Sequence, residues 1–185
     1  MIRIKEIGDS LLHLVFPHVC DGCGSDLLSK ETRLCMRCMT AMPETDFEKH
    51  AGNPIEKMFW GRLSLVHAAA TFYFTQESLM QRLMHQLKYK GNKELGLQLG
   101  RLMGIAIKES GRFADMDALV PLPLFPSKEK KRGYNHATVL CNGMAEILSL
   151  PVLYHIVTRP QHTDTQTKKG RIERKQRRLN KMEEQ

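Results

Sequence analysis

Apolar residues recur along this chain in two registers, and each register predicts a different kind of element. Ile4, Ile7, Leu11 and Leu14 or Val15 return every three or four positions, which predicts a short amphipathic helix ended by Pro17. Leu79, Leu83, Met84 and Leu87 mark a second helix running into Lys88-Tyr89-Lys90-Gly91-Asn92. A third spans about 93–109, with Leu95, Leu99, Leu102, Met103 and Ala106 on its apolar face. Gly96, Gly100 and Gly104 fall on one face of that helix, a spacing that suits close packing against a neighbour. A fourth helix covers about 136–149, where Ala137, Leu140, Cys141, Met144, Ala145 and Leu148 keep helical spacing.

Between these helices lie continuous apolar runs. Leu65 to Phe74, Ala118 to Leu124 and Val152 to Val157 read as strands, the middle one closed by Pro121 and Pro123. Phe125 to Asn135 reads as a basic loop leaving a strand end. Alternating strands and helices predict an α/β domain, a parallel sheet with flanking helices. Pro43, Gly52 and Pro54 among mixed charges place a boundary within 43–62. Residues 1–50 then form an N-terminal helix and cysteine module, and residues 51–185 the α/β domain.

Composition narrows the function classes. The chain has 185 residues, 42% hydrophobic and 26% charged, which argues against disorder along its whole length. The uncharged run from Leu63 to Gln76 falls short of the roughly 20 residues a membrane span needs. Glu6 and Asp9 interrupt the N-terminal segment as a secretory signal, so the expected compartment is the cytoplasm. The net charge of +8 is uneven: residues 168–185 carry +5 and the rest +3. A basic tail of that kind binds phosphate or serves as a solvated helix face.

Four of the five cysteines form two pairs, Cys20-Asp-Gly-Cys23 and Cys35-Met-Arg-Cys38, eleven residues apart. Two short turns, each presenting two thiolates, suit a tetrahedral Zn²⁺ with no open coordination place, a structural rather than catalytic site. Two disulfides are the alternative, disfavoured in a reducing compartment, and a redox CxxC is another. Cys141 reads as a buried core thiol. In the basic loop, Lys128, Lys130, Lys131 and Arg132 precede Gly133 and Asn135. Cationic side chains beside a helix start make a cradle for phosphate or pyrophosphate, and an ordinary solvated turn is the other reading.

Taken in order, these segments resemble the ComF family of phosphoribosyltransferase-like proteins. The resemblance rests on Phe16-Pro17 with the cysteine pairs, Leu87-Lys88-Tyr89-Lys90-Gly91 and Val120-Pro-Leu-Pro-Leu124. It continues through Arg132-Gly133-Tyr134-Asn135 and Thr163-Asp-Thr-Gln166 with Glu173-Arg174. It implies a zinc-ribbon module followed by a type I phosphoribosyltransferase fold. Lys131, Arg132, Gly133 and Asn135 would face the diphosphate of phosphoribosyl pyrophosphate, with Lys88, Tyr89 and Gly91 as a further motif. Arg159, Thr163, Gln166 and Arg174 would lie on a mobile loop covering the site. Mg²⁺ is implied only where the active site is complete, and single-stranded DNA or competence proteins are implied as partners.

The sequence departs from the family pattern in three places. His136 stands where Gln is usual, and Arg177 where Asn is usual. No adjacent acidic pair followed by a Thr- and Gly-rich turn occurs, although that element holds the ribose hydroxyls and 5′-phosphate. Displacing pyrophosphate from an anomeric carbon requires the sugar to be fixed in place. The resemblance therefore implies a C-terminally truncated, weak or inactive catalyst. The alternatives are a zinc-ribbon nucleic-acid-binding accessory of competence or DNA uptake, and a non-catalytic adaptor.

Overall fold

A computed structural model describes residues 18–26 and 32–159. The helix expected near the N-terminus, Phe16-Pro17, Thr163, Gln166, Arg174 and the basic tail lie outside the described residues.

The two long central helices form where their periodicity places them. Helix α3 (Leu79–Tyr89) starts at Ser78, whose side chain accepts from the Gln81 amide, and buries Met80, Leu83 and Leu87. It follows α1 (Met36–Thr40), a short 3₁₀ turn at Phe47–Lys49 and α2 (Pro54–Phe59). Gly91, at φ 70°, turns the chain into α4 (Lys93–Ser110), which Asn92 caps through the Leu95 amide. Helix α5 (Pro126–Arg132) then leads to α6 (His136–Leu148), capped by Asn135 through the Ala137 amide.

The glycine face of α4 meets α6. A Cβ at Gly100 would collide with the Leu140 carbonyl oxygen and lie 3.0 Å from the Gly143 Cα. Gly104 is similarly hemmed in by Met144 and Ile147, so the two backbones approach as closely as they do because side chains are absent. Gly96 sits against Leu87 and Val139, which joins α3 to the same layer.

A single apolar cluster links the cysteine module to these helices. Cys20, Leu34, Cys38 and Met42 are buried together with Met80, Leu83, Leu95 and Leu99, and Phe72, Leu79, Met84 and Leu140 pack around them. The proline-containing stretch 43–62 is tied down by polar groups. Asn53 donates to the carbonyls of Phe47, His50 and Ala68 while capping α2. Arg112, just past α4, pairs with Glu56 at 2.7 Å and donates to the His50 carbonyl.

The expected parallel sheet is not formed: among the described residues there is no strand, only isolated bridges. The run Leu65–Phe74 makes one antiparallel bridge, Glu44 to Phe72, and leaves Leu65, Val66, Tyr73 and Phe74 exposed. Ala118–Leu124 and Val152–Val157 meet at one parallel bridge, Leu119 to Val152. There Leu119 donates to Pro151 and Leu153 donates to Leu119. Pro121 and Pro123 have no amide to extend that pairing, and Leu122 stays 75% exposed. Likewise, among the described residues the expected zinc ribbon shows one bridge, Val19 to Asp26, and then helix α1. An apolar run marks a segment suited to a ladder, but a ladder also needs partners that donate along its length. A further correction concerns the basic loop, most of which is helix α5. Proline at its first turn and Lys, Glu and Arg after it are all compatible with a helix.

In an exposed helix, Gly→Ala stabilises by about 1 kcal/mol. At Gly100 the sign reverses. Gly100→Ala is expected to destabilise by about 1–3 kcal/mol in denaturant unfolding, because the added methyl forces α4 and α6 apart.

Candidate functional site

The four paired cysteines converge. Their sulfurs all lie within 4.8 Å of one another, and Cys23 Sγ and Cys35 Sγ are 3.6 Å apart. Tetrahedral thiolates at the usual Zn–S distance of about 2.3 Å would be about 3.8 Å apart, so the spacing suits one ion. All five cysteines are free thiols here. Cys20 Sγ accepts from the amides of Gly22 at 3.4 Å and Cys35 at 3.2 Å, which fixes its direction within the cluster. A Cβ at Gly22 would lie 2.7 Å from Cys38 Sγ, so the knuckle closes over the site only with glycine. Soft donors, four in number and mutually close, fit a metal such as zinc.

The environments of the sulfurs differ. The Ser25 hydroxyl, 3.0 Å from Cys23 Sγ, leads a set of hydrogen bonds that pull the Cys23 thiol down to about 6. Burial pushes Cys38 up to about 12. Burial raises Cys141 as well; it stands apart from the four on α6 and is partly buried, as a packing thiol would be.

A second group of side chains gathers where the α3–α4 turn faces the α5–α6 turn. The Tyr134 hydroxyl donates to the Leu87 carbonyl. Arg132 lies over the Tyr89 ring, 5.4 Å from its centroid, and Lys93 over the Tyr134 ring at 5.3 Å. Asn135 is buried; besides capping α6, its amide donates to the Leu122 carbonyl at 2.8 Å. Arg132 Nη1 is 3.4 Å from His136 Nδ1, and since a guanidinium can only donate, that ring nitrogen accepts. Burial and the nearby Arg132 charge lower the affinity of Lys88 for its proton. His136 is held down to about 4 by burial, then by the charges of Lys88 and Arg132.

Two motifs far apart in sequence are therefore neighbours here: Lys88 and Tyr89 with Arg132, Tyr134 and His136. Gly91 and Gly133, at φ 70° and 78°, supply the left-handed turns that bring them face to face. Lys131 is exposed on the last turn of α5, and Arg159 is exposed beyond the final bridge. Sequence reading missed the polar seam joining the cysteine knuckle to the α3–α4 turn. Asp21, inside the first pair, binds Arg33 and Asn92 at 2.8 Å each, and its carbonyl accepts from Gln86. A cleft of about 480 Å³ opens along this seam, lined by Asp21, Arg33, Gln86, Lys90, Asn92 and Lys93 among others. One signal was present: an Asn directly after a turn glycine is a common helix cap.

Fold and site define a four-cysteine module with the geometry to hold a metal, packed on a helical body that carries a basic, tyrosine-flanked turn. Competence protein F of Haemophilus influenzae is 26% identical to the chain over 159 residues, 84% of this chain and 65% of that protein. DNA utilization protein YhgH of Escherichia coli K12 is 27% identical over 152 residues, 80% of this chain and 63% of that protein. The YhgH of Salmonella typhi is 30% identical over 87 residues, 45% of this chain and 38% of that protein. No family model and no solved structure matches the chain. The cysteine cluster and the similarity to these proteins support the ComF family. It spans under two thirds of the length of the first two relatives.

Two outcomes are expected. Cys20→Ser abolishes the binding of one zinc per chain while Cys141→Ser retains it, as measured by metal content after dialysis. For His136, the folded value near 4 lies below the ordinary 6.5, so between those values the unfolded chain binds more protons. Stability therefore falls as pH falls from about 6.5 to 4, and His136→Gln should flatten that fall. The difference at pH 4, discounted for partial exposure, is on the order of 1–2 kcal/mol in unfolding free energy.

Proposed function

We propose that the chain acts in competence or DNA utilization, the processes its relatives are named for, and that its basic turn binds a phosphorylated ligand. The observation that carries the ligand reading is the meeting of Lys88 and Arg132 beside the amino end of α6. Two cations there favour an anion electrostatically, and partial burial strengthens the attraction. Asn135 secures the helix end, and the turn at Gly133 leaves backbone amides near it. Arg132 offers a guanidinium fork suited to phosphate oxygens. Phosphoribosyl pyrophosphate or a related ligand meets these requirements through its diphosphate. Ribosyl transfer is proposed only for a chain that also carries the acidic pair and Thr/Gly turn absent from this sequence. In that setting Mg²⁺ would accompany the diphosphate; nothing among the described residues supports it here.

In this reading Cys20, Cys23, Cys35 and Cys38 hold a structural zinc. It cross-links two chain segments and takes no part in the chemistry. Residues 1–50 and 51–185 act as a metal module and a ligand-binding domain, and the protein works in the cytoplasm. No helix among the described residues is long and apolar enough to cross a membrane.

A second reading, single-stranded DNA, has its own support. Tyr89 is 60% exposed, with the His85 ring 4.9 Å from it and Arg132 over it, an arrangement on which a base could stack. Isothermal titration at low salt separates the two. Phosphoribosyl pyrophosphate and inorganic pyrophosphate are expected to bind, and Arg132→Ala to weaken binding about tenfold or more through loss of charge-assisted bonds. Absence of binding by either compound, with oligothymidylate binding that falls steeply with salt and with Tyr89→Ala, would replace the first reading by the second.

A further inference from the structure

We propose that Asp21 is a positioning residue that fastens the metal knuckle to the α3–α4 turn, so that a filled metal centre holds the basic site in its binding arrangement. The role of the basic site rests on the reading above; the fastening does not.

Asp21 lies between two of the four sulfur ligands, and its polar groups are committed to the seam. Its side chain is 10% exposed. One carboxylate oxygen accepts from Arg33 Nε and Asn92 Nδ2 at 2.8 Å, the other from Arg33 Nη2 at 3.3 Å. Its carbonyl accepts from Gln86 Nε2 at 2.6 Å, and its amide donates to the Arg33 carbonyl at 2.9 Å. Arg33 is anchored in turn, its amide donating to Gln98 Oε1 on α4.

The two helix partners of Asp21 bracket the turn that carries the basic motif. Gln86 is on the last full turn of α3, and Asn92 caps α4. Lys88, Tyr89 and Gly91 lie between them, and from this segment the Leu87 carbonyl and the Tyr89 ring reach Tyr134 and Arg132. A displacement of Asp21 therefore pulls on both ends of the segment that faces Arg132. The position of Asp21 depends on Cys20 and Cys23, and an ion cross-linking these to Cys35 and Cys38 removes their freedom to separate. Gly22 adds contact: its Cα packs so tightly that a Cβ would lie 2.9 Å from Leu79 at the start of α3. Metal binding and anion binding are then coupled through one rigid connection, and such coupling acts in both directions.

The test uses the full chain with zinc bound. Asp21→Ala removes the carboxylate without touching a sulfur. Asn92→Asp keeps a helix cap but sets a like charge against Asp21, which serves should Asp21→Ala fail to fold. The expected result is an unchanged zinc content in both variants, with amide exchange across residues 86–93 about tenfold faster and α6 amides unaffected. Pyrophosphate affinity should fall about tenfold in both, and Asp21→Asn, which keeps an acceptor for Asn92, should recover part of it. Unchanged exchange at 86–93 in the folded variants would overturn the proposal, as would exchange that rises equally in α6. If the unaltered chain binds no pyrophosphate, the anion reading falls, and the exchange result alone decides whether Asp21 fastens the turn.

Discussion

Cys20 and Cys38 place their sulfurs toward the other two cysteines and their buried bulk among Leu83, Leu95 and Leu99. That double placement is the constraint on which the remaining structure depends. A metal centre on a flexible surface loop would organise only itself. Here the module shares its apolar cluster with the α3–α4 hairpin, so whatever holds the four sulfurs also holds the floor against which the two helices pack. The polar seam from Asp21 to Gln86 and Asn92 runs along the edge of the same contact and gives it a fixed register. Apolar burial alone is non-directional, whereas these hydrogen bonds choose one arrangement.

The basic turn inherits its geometry from that packing. Positive groups repel, and Lys88, Arg132 and the neutral His136 stay close because the turns that carry them are held elsewhere. The Tyr134 hydroxyl is bonded to Leu87, and the α4–α6 contact is closed by Gly100 and Gly143. Burial first, and then the neighbouring positive charges, depress Lys88 and His136. A ligand anion would relieve the repulsion, so the electrostatic strain and the proposed binding are two aspects of one arrangement.

The helices were legible in the sequence wherever apolar spacing, a cap and a stop agreed. The positions of Leu83, Leu87, Leu95 and Leu99, with Ser78, Asn92 and Gly111 at the ends, left little freedom. The close-packing role of Gly96, Gly100 and Gly104 was legible for the same reason. The strands were not: Leu65 to Phe74 and Ala118 to Leu124 have strand composition, but pairing depends on donors and acceptors from other segments. Prolines at 121 and 123 limit that pairing locally. Helix α5 was misread as loop because its lysines carry no apolar period, although each residue tolerates a helix.

The sequence by itself marked the four cysteines that meet in one cluster, since two pairs at that spacing suit it, and the α3, α4 and α6 helices, since their signals are local. Tertiary structure alone decided which helices meet, that Lys88 and Tyr89 face Arg132, and that Asp21 joins the knuckle to the turn. These last depend on residues separated by tens of positions. No local pattern encodes such meetings, because they arise from how the buried faces of separate elements fit together.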